Sequence, residues 1–175
     1  SDAGHARSCW AELRELDITL DDKLVDVYLR EARPPGAVLA RWQQLKAGGA
    51  GWQERYRKFV RIEISSPTAT PAQLKALRQP EGLALEIVPV ADATLRVGDE
   101  ARFRVLSSHA PVAGLAVELL GDRSPVGLWS RTDANGEVRW TLPFGGNWLV
   151  RTIAIDPDGT DRWRSRFATF AFDAR

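Results

Sequence analysis

TDANGEVRWTL (132–142), GGNWLVRTIAI (145–155) and DRWRSRFATFAFD (161–173) decide the fold of this chain. Each couples alternating apolar residues to turn chemistry, the mark of a strand with one face in a core. Asp133-Ala134-Asn135-Gly136 reads as a tight turn, because Asn and Gly tolerate the positive φ that hairpin turns demand. Working upstream, GLALEIVPV (82–90) and LRVGDEARFRVL (95–106) repeat the pattern. In all, seven strands are expected near 83–89, 100–107, 114–120, 126–132, 137–143, 147–155 and 165–173. Spacing of about 8–12 residues with turn signals between is that of an antiparallel β-sandwich.

The first 64 residues read differently. Residues 1–9 are small and polar, a frayed end. Trp10 to Leu20 suits a strand, since Leu16, Ile18 and Leu20 alternate with Glu15, Asp17 and Thr19. That strand is either the last of an upstream domain or an added edge of the downstream sandwich. Asp21 reads as a helix N-cap, and Leu24, Val25, Tyr28, Leu29 and Ala32 form one helical face. Pro34-Pro35 stops this helix. A second helix buries Val38, Leu39, Trp42 and Leu45 and breaks at Gly48, Gly49 and Gly51. A third is expected from Trp52, with Trp52, Tyr56, Phe59 and Val60 inward and Arg55, Arg57, Lys58 and Arg61 on a solvated face; Ile62 to Ile64 either extends it or turns to strand. Residues 65–82 carry three prolines and read as a linker, with one helical turn at 72–77. The organisation expected is therefore 1–64 (strand plus helical segment), 65–82 (linker) and 83–175 (sandwich), a mostly β chain with about three short helices.

The chain has 175 residues, 44% of them hydrophobic, enough for a sizeable core. A net charge of +1 argues against nucleic acid as the main partner. No apolar run approaches the roughly 20 residues of a membrane-spanning helix, so no membrane insertion is expected. The single cysteine, Cys9, has no internal partner for a disulfide. Met is absent, which reads as the removal of something upstream.

Over about residues 13–172 the chain resembles a bacterial extracytoplasmic family of unknown function, domain-of-unknown-function family 4198, once described as a nickel-uptake component of NikM type. The resemblance is carried by LDITLDDKLVDVYLREA (16–32), ERYRKF (54–59), GLALEIVP, VGDE, APVAG (110–114), TDANGE, GGNWLV and the closing DRWRSRFATFAF. It implies an exported, periplasmic protein with a C-terminal immunoglobulin-like or prealbumin-like sandwich. It also implies an upstream β domain, where a metal link would sit, and no binding residue of this chain.

Candidate chemistry is sparse. Soft metals need several converging Cys or His groups, and only His5, Cys9 and His109 are present. His109 reads as an ordinary loop residue. Asp156, Asp158 and Asp161, in D-P-D-G-T-D, are the only candidates for a metal, a hard cation such as calcium. Their glycine comes too early for an EF-type loop, and Asp and Gly also build plain turns. Asp99, Glu100, Glu118 and Asp122 offer no pattern that selects an acid/base pair. No nucleophile elbow, zinc-protease helix, Walker loop or dinucleotide glycine signature occurs, so no enzyme and no cofactor are expected. Of the seven tryptophans, Trp42, Trp52, Trp140, Trp148 and Trp163 suit packing, with Trp129 and Trp163 the most exposed of the set. The reading that results is a non-catalytic extracytoplasmic binding or accessory module, tied by resemblance to nickel or cobalt uptake, whose partner is another protein or the upstream domain. The alternative is a structural or protein-interaction sandwich with no small ligand; an enzyme comes last.

Overall fold

The structure, a computed structural model, describes residues 6–175. In chain order the elements are β1 (Arg7–Glu12), β2 (Leu16–Leu20), α1 (Asp22–Ala32), α2 (Gly36–Ala47), β3 (Trp52–Ile64), α3 (Pro71–Leu77), β4 (Glu86–Pro89), β5 (Glu100–Ser107), β6 (Ala110–Pro111), β7 (Ala116–Gly121), β8 (Leu128–Arg131), β9 (Glu137–Thr141), β10 (Gly146–Pro157) and β11 (Arg162–Ala174). The larger sheet has seven strands in the order β1-β3-β11-β10-β7-β8, with β2 also on β3. The smaller has four, β4-β5-β6 with β9 on β5. Their inner faces enclose one core, to which Phe59, Val117, Leu119, Trp148, Val150, Phe170 and Phe172 come from the larger sheet and Ile87, Phe103, Val105 and Val138 from the smaller. The chain is therefore mostly β, a sandwich with short helices, and each of the seven expected strands has its counterpart.

The third helix is a correction. Residues from Trp52 onward form a 13-residue strand. It lies parallel to β11, with register partners from Arg162↔Gln53 to Ala171↔Ile62. Two-residue alternation explains this: Trp52, Glu54, Tyr56, Lys58, Val60, Ile62 and Ile64 share one face, and Arg55, Arg57, Phe59, Arg61 and Glu63 the other. The basic residues are thus split between two faces of a sheet. Because β1 and β2 both pair with β3, the N-terminal strands extend the sandwich sheet itself. Arg7, Ser8 and Cys9, read as part of a frayed end, are in β1. Residues 65–82, read as a linker, hold α3, whose capping box joins Thr70 and Gln73 and whose Leu74 is buried.

The turn at 133–136 does not close a hairpin. β8 pairs with β7 in the larger sheet and β9 with β5 in the smaller, so the turn carries the chain between sheets. Asp133 Oδ1 accepts from the backbone N–H of Asn135 (2.8 Å) and Glu137 (2.9 Å). At Gly136, φ is +72°, and a Cβ there would stand 2.7 Å from the Val105 carbonyl oxygen, so glycine is required. The Glu137 N–H, helped by that of Asn135, holds the Asp133 carboxyl below its ordinary 3.8. A depressed carboxylate contributes stability above its unfolded value and loses it as pH falls through the folded one. Asp133→Ala is expected to lower the Tm by a few degrees at pH 7, and this deficit is expected to shrink below about pH 4. Thermal melts of both proteins between pH 3 and 7 check it; a deficit independent of pH would contradict the assignment.

Candidate functional site

α1 and α2 pack on the outer face of the larger sheet. Asp21 caps α1 by accepting from the Leu24 N–H at 2.9 Å, as expected from sequence. Val25, Leu29 and Ala32 then face the sheet and join Val38, Trp42, Trp52, Ile155 and Trp163 in a second core. Trp52 stacks on Trp163 at 4.7 Å, and Trp42 meets Trp52 edge-on at 5.2 Å. Trp163 is 0% exposed, which corrects its expected exposure: α2 covers it. Trp129 is half-buried, with the Arg33 guanidinium 4.1 Å from its ring.

The helices cover only part of this face. Beside α1 a groove remains, made of two adjoining cavities of about 330 and 410 Å³. Both are lined by Tyr28, Glu31, Lys58 and Phe167. Ile18, Leu20, Leu24 and Val27 wall one end, and Trp129 and Arg151 stand at the other. Tyr28 stacks with Phe167 (6.3 Å), and Tyr56 meets Phe167 edge-on (5.9 Å). The Lys58 ammonium sits 5.5 Å from the Tyr56 ring centre and 5.6 Å from that of Phe167.

Glu54 lines the groove floor and is 1% exposed. It accepts from the Trp52 indole at 2.6 Å, from the Tyr28 hydroxyl at 3.3 Å and from the Ser165 hydroxyl. These donors are neutral, and no cation stands within ion-pair distance of it among the described residues. Burial, reinforced by the neighbouring Glu54 carboxylate, pushes the Tyr28 phenol above its ordinary range. Tyr28 is therefore a hydrogen-bond donor at any physiological pH.

The sequence candidates lie elsewhere. Asp156 and Asp158 belong to β10 and the turn after it, paired with Arg166 and with Arg164 (2.9 Å). Arg41 of α2 donates to the carbonyls of Gly159 (2.8 Å) and Thr160 (2.7 Å), so the loop is fixed by protein contacts, while Asp161 is exposed. Among the described residues no three His, Cys, Asp or Glu side chains form a metal-holding group. Cys9 is exposed on β1, and its suggested companion His5 lies outside the described residues. His109 occupies a two-residue hairpin turn between Ser107 and Ala110, at a φ of +71°. The four acidic candidates are dispersed: Glu118 pairs with Arg151 (2.6 Å), Asp122 accepts from Asn147, Asp99 from the Arg96 N–H, and Glu100 lies beside Arg102.

A profile described as "Domain of unknown function (DUF4198)" matches residues 17–156. The chain belongs to this family. The matched span of the DUF4198 chain takes in α1, the whole of β3 and most of the sandwich, so the family pattern includes much of the groove. No curated protein and no solved structure matches the chain. No helix of the described residues is long and apolar enough to cross a membrane.

Proposed function

We propose that this chain is a non-catalytic binding or accessory module that works outside the cytoplasm, in the periplasm, and that its ligand site is the groove between α1 and the larger sheet. The observation that carries the reading is the groove itself: aromatic rings from a helix and two strands line a concavity of ligand-binding size, with a few placed polar groups. The extracytoplasmic placement rests on the family resemblance. On this reading any link to nickel or cobalt uptake runs through a protein partner, since Asp156 and Asp158 of the D-P-D-G-T-D loop are engaged by arginines and no three ligating side chains converge among the described residues.

A fragment screen by NMR tests the site. Hits are expected to move the aromatic signals of Tyr28, Tyr56 and Phe167 together. Nickel and cobalt are expected to leave the Tm unchanged, because only a ligand of the native state raises it. Hits confined to other surfaces would overturn the groove as the site, and a specific metal-induced rise in Tm would overturn the partner route. The interaction-module reading draws on a different observation. Trp10 (49% exposed), Leu13, Leu16, Ile62 and Ile64 (62%) leave apolar surface along the β1–β3 edge of the larger sheet.

A further inference from the structure

Three features of the groove belong to one kind of chemistry. Its floor holds a buried carboxylate with neutral donors only. Its faces are aromatic rings, whose negative π-faces attract cations. And an ammonium already sits on two of those faces: Lys58 has no carboxylate within 4.0 Å among the described residues, and its Nζ lies over Tyr56 and Phe167 instead. Glu54, Tyr56 and Lys58 alternate on one face of β3, so the rings stand between the carboxylate and the lysine, with roughly 7 Å of strand per step.

We propose that the groove binds a small organic cation, an amine or quaternary ammonium on an apolar body, which takes the place of the Lys58 ammonium on Tyr56 and Phe167 and is drawn by the buried charge of Glu54. The assignment rests on the groove being the ligand site and names the class of ligand. Burial makes it selective. Glu54 itself is shielded from water, so its charge is screened less than that of a surface carboxylate, and a neutral or anionic analogue gains nothing from it. Lys58 is the chain's own competitor: it is exposed, mobile on its four-carbon stem, and free to swing into solvent. Leu24, Val27 and Ile18 supply the surface for the ligand's apolar body. The cavity sizes suit a small molecule.

The test is a titration of the whole chain with benzyltrimethylammonium, benzyl alcohol and benzoate at one ionic strength, followed by calorimetry and by the aromatic NMR signals. The cation is expected to bind saturably at Tyr56 and Phe167, roughly tenfold or more tighter than the alcohol, with benzoate weakest. Glu54→Gln is expected to reduce that preference several-fold, leaving what the rings and the exposed Glu31 carboxylate supply. Because Gln cannot accept from all three donors, its fold is checked by thermal melting. Lys58→Ala disturbs no buried contact and is expected to tighten the cation several-fold by removing the competitor. Equal binding of alcohol and cation in the groove would overturn the cation assignment and leave the groove as a ligand site. Weaker cation binding by Lys58→Ala would overturn the displacement. Binding of no probe at all would overturn the assignment, while the groove itself stands or falls by the fragment screen.

Discussion

Arg78→Met is expected to destabilise the protein by about 3–5 kcal/mol, the usual cost of stranding one member of a buried ion pair. Arg78 ends α3 and grips Glu63 of β3 through two charge-assisted bonds, 2.5 and 2.8 Å long. Both side chains are only 4% exposed. Arg78 also donates to the carbonyls of Ala91 and, at 3.0 Å, Ala93, so it ties β3 to the segment after β4. Without it the Glu63 carboxylate remains buried. The nearest replacement, Arg61, is already spent on Ser8 Oγ, Leu77 O and Gln79 O and lies 3.8 Å from Glu86. Little water reaches this cluster, since the Arg61 and Glu86 side chains are almost wholly buried, and that burial holds the Arg61 guanidinium below its ordinary value. Urea unfolding measures the loss. Glu63→Leu combined with Arg78→Met is expected to cost less than Arg78→Met alone, because removing both charges removes the desolvation penalty. The exposed pair Arg57–Glu12 is the control: Glu12→Gln is expected to cost about 0–1 kcal/mol. A loss below about 1 kcal/mol for Arg78→Met would mean that water reaches Glu63 in the folded state.

This cluster marks where sequence reading stops. Strands β4, β5 and β7 to β11 were legible from apolar alternation and the turn signals between them, while the two exposed residues of β6 were not among the expected strands. α1 was legible because Asp21 and the Val25–Leu29–Ala32 stripe agree on its start and its face. β3 was not, because it is buried on opposite faces at different points. Trp52 and Glu54 lie under the helices, while Phe59, Arg61 and Glu63 face the sandwich and α3. Its apolar residues therefore mimic a helical period, with charged residues at positions that look solvated and are not. The seven-residue alternation from Trp52 to Ile64, with its β-branched end, was the signal available. The groove was hidden for another reason. Its residues come from α1, β2, β3, β7, β8, β10 and β11, and its centre depends on the parallel register, in which Phe167 stands beside Lys58 and Ser165 beside Tyr56. Asp156 and Asp158 looked like ligands because turn carboxylates and cation ligands share one pattern; the arginines two strand positions apart, Arg164 and Arg166, decide between them.

Trp163→Ala is expected to cost about 3–5 kcal/mol and to loosen α1 and α2 before the sandwich. Trp163 is wholly enclosed between the sheet and α2, stacked on Trp52 with the ring planes 12° apart. Its indole N–H has no hydrogen-bond partner among the described residues, so its contribution is packing alone, set against an unpaired donor. This separates two substitutions. Alanine leaves a cavity that the rigid β-sheet side cannot fill. Phenylalanine keeps most of the stack and removes the unpaired N–H, so Trp163→Phe is expected to cost less than half as much. Trp52→Phe is the opposite case, because the Trp52 indole donates to Glu54 at 2.6 Å and its loss leaves a buried carboxylate short of a partner. The order expected in urea unfolding is Trp163→Phe, then Trp52→Phe, then Trp163→Ala. Hydrogen exchange locates the effect: amides of α1 and α2 are expected to exchange faster in Trp163→Ala at a denaturant concentration where β5, β7 and β10 remain protected. Uniform loss of protection would instead mean that the helical layer and the sandwich unfold as one unit. In that case the groove between them would be as rigid as the core, and a ligand would enter it without any opening of α1.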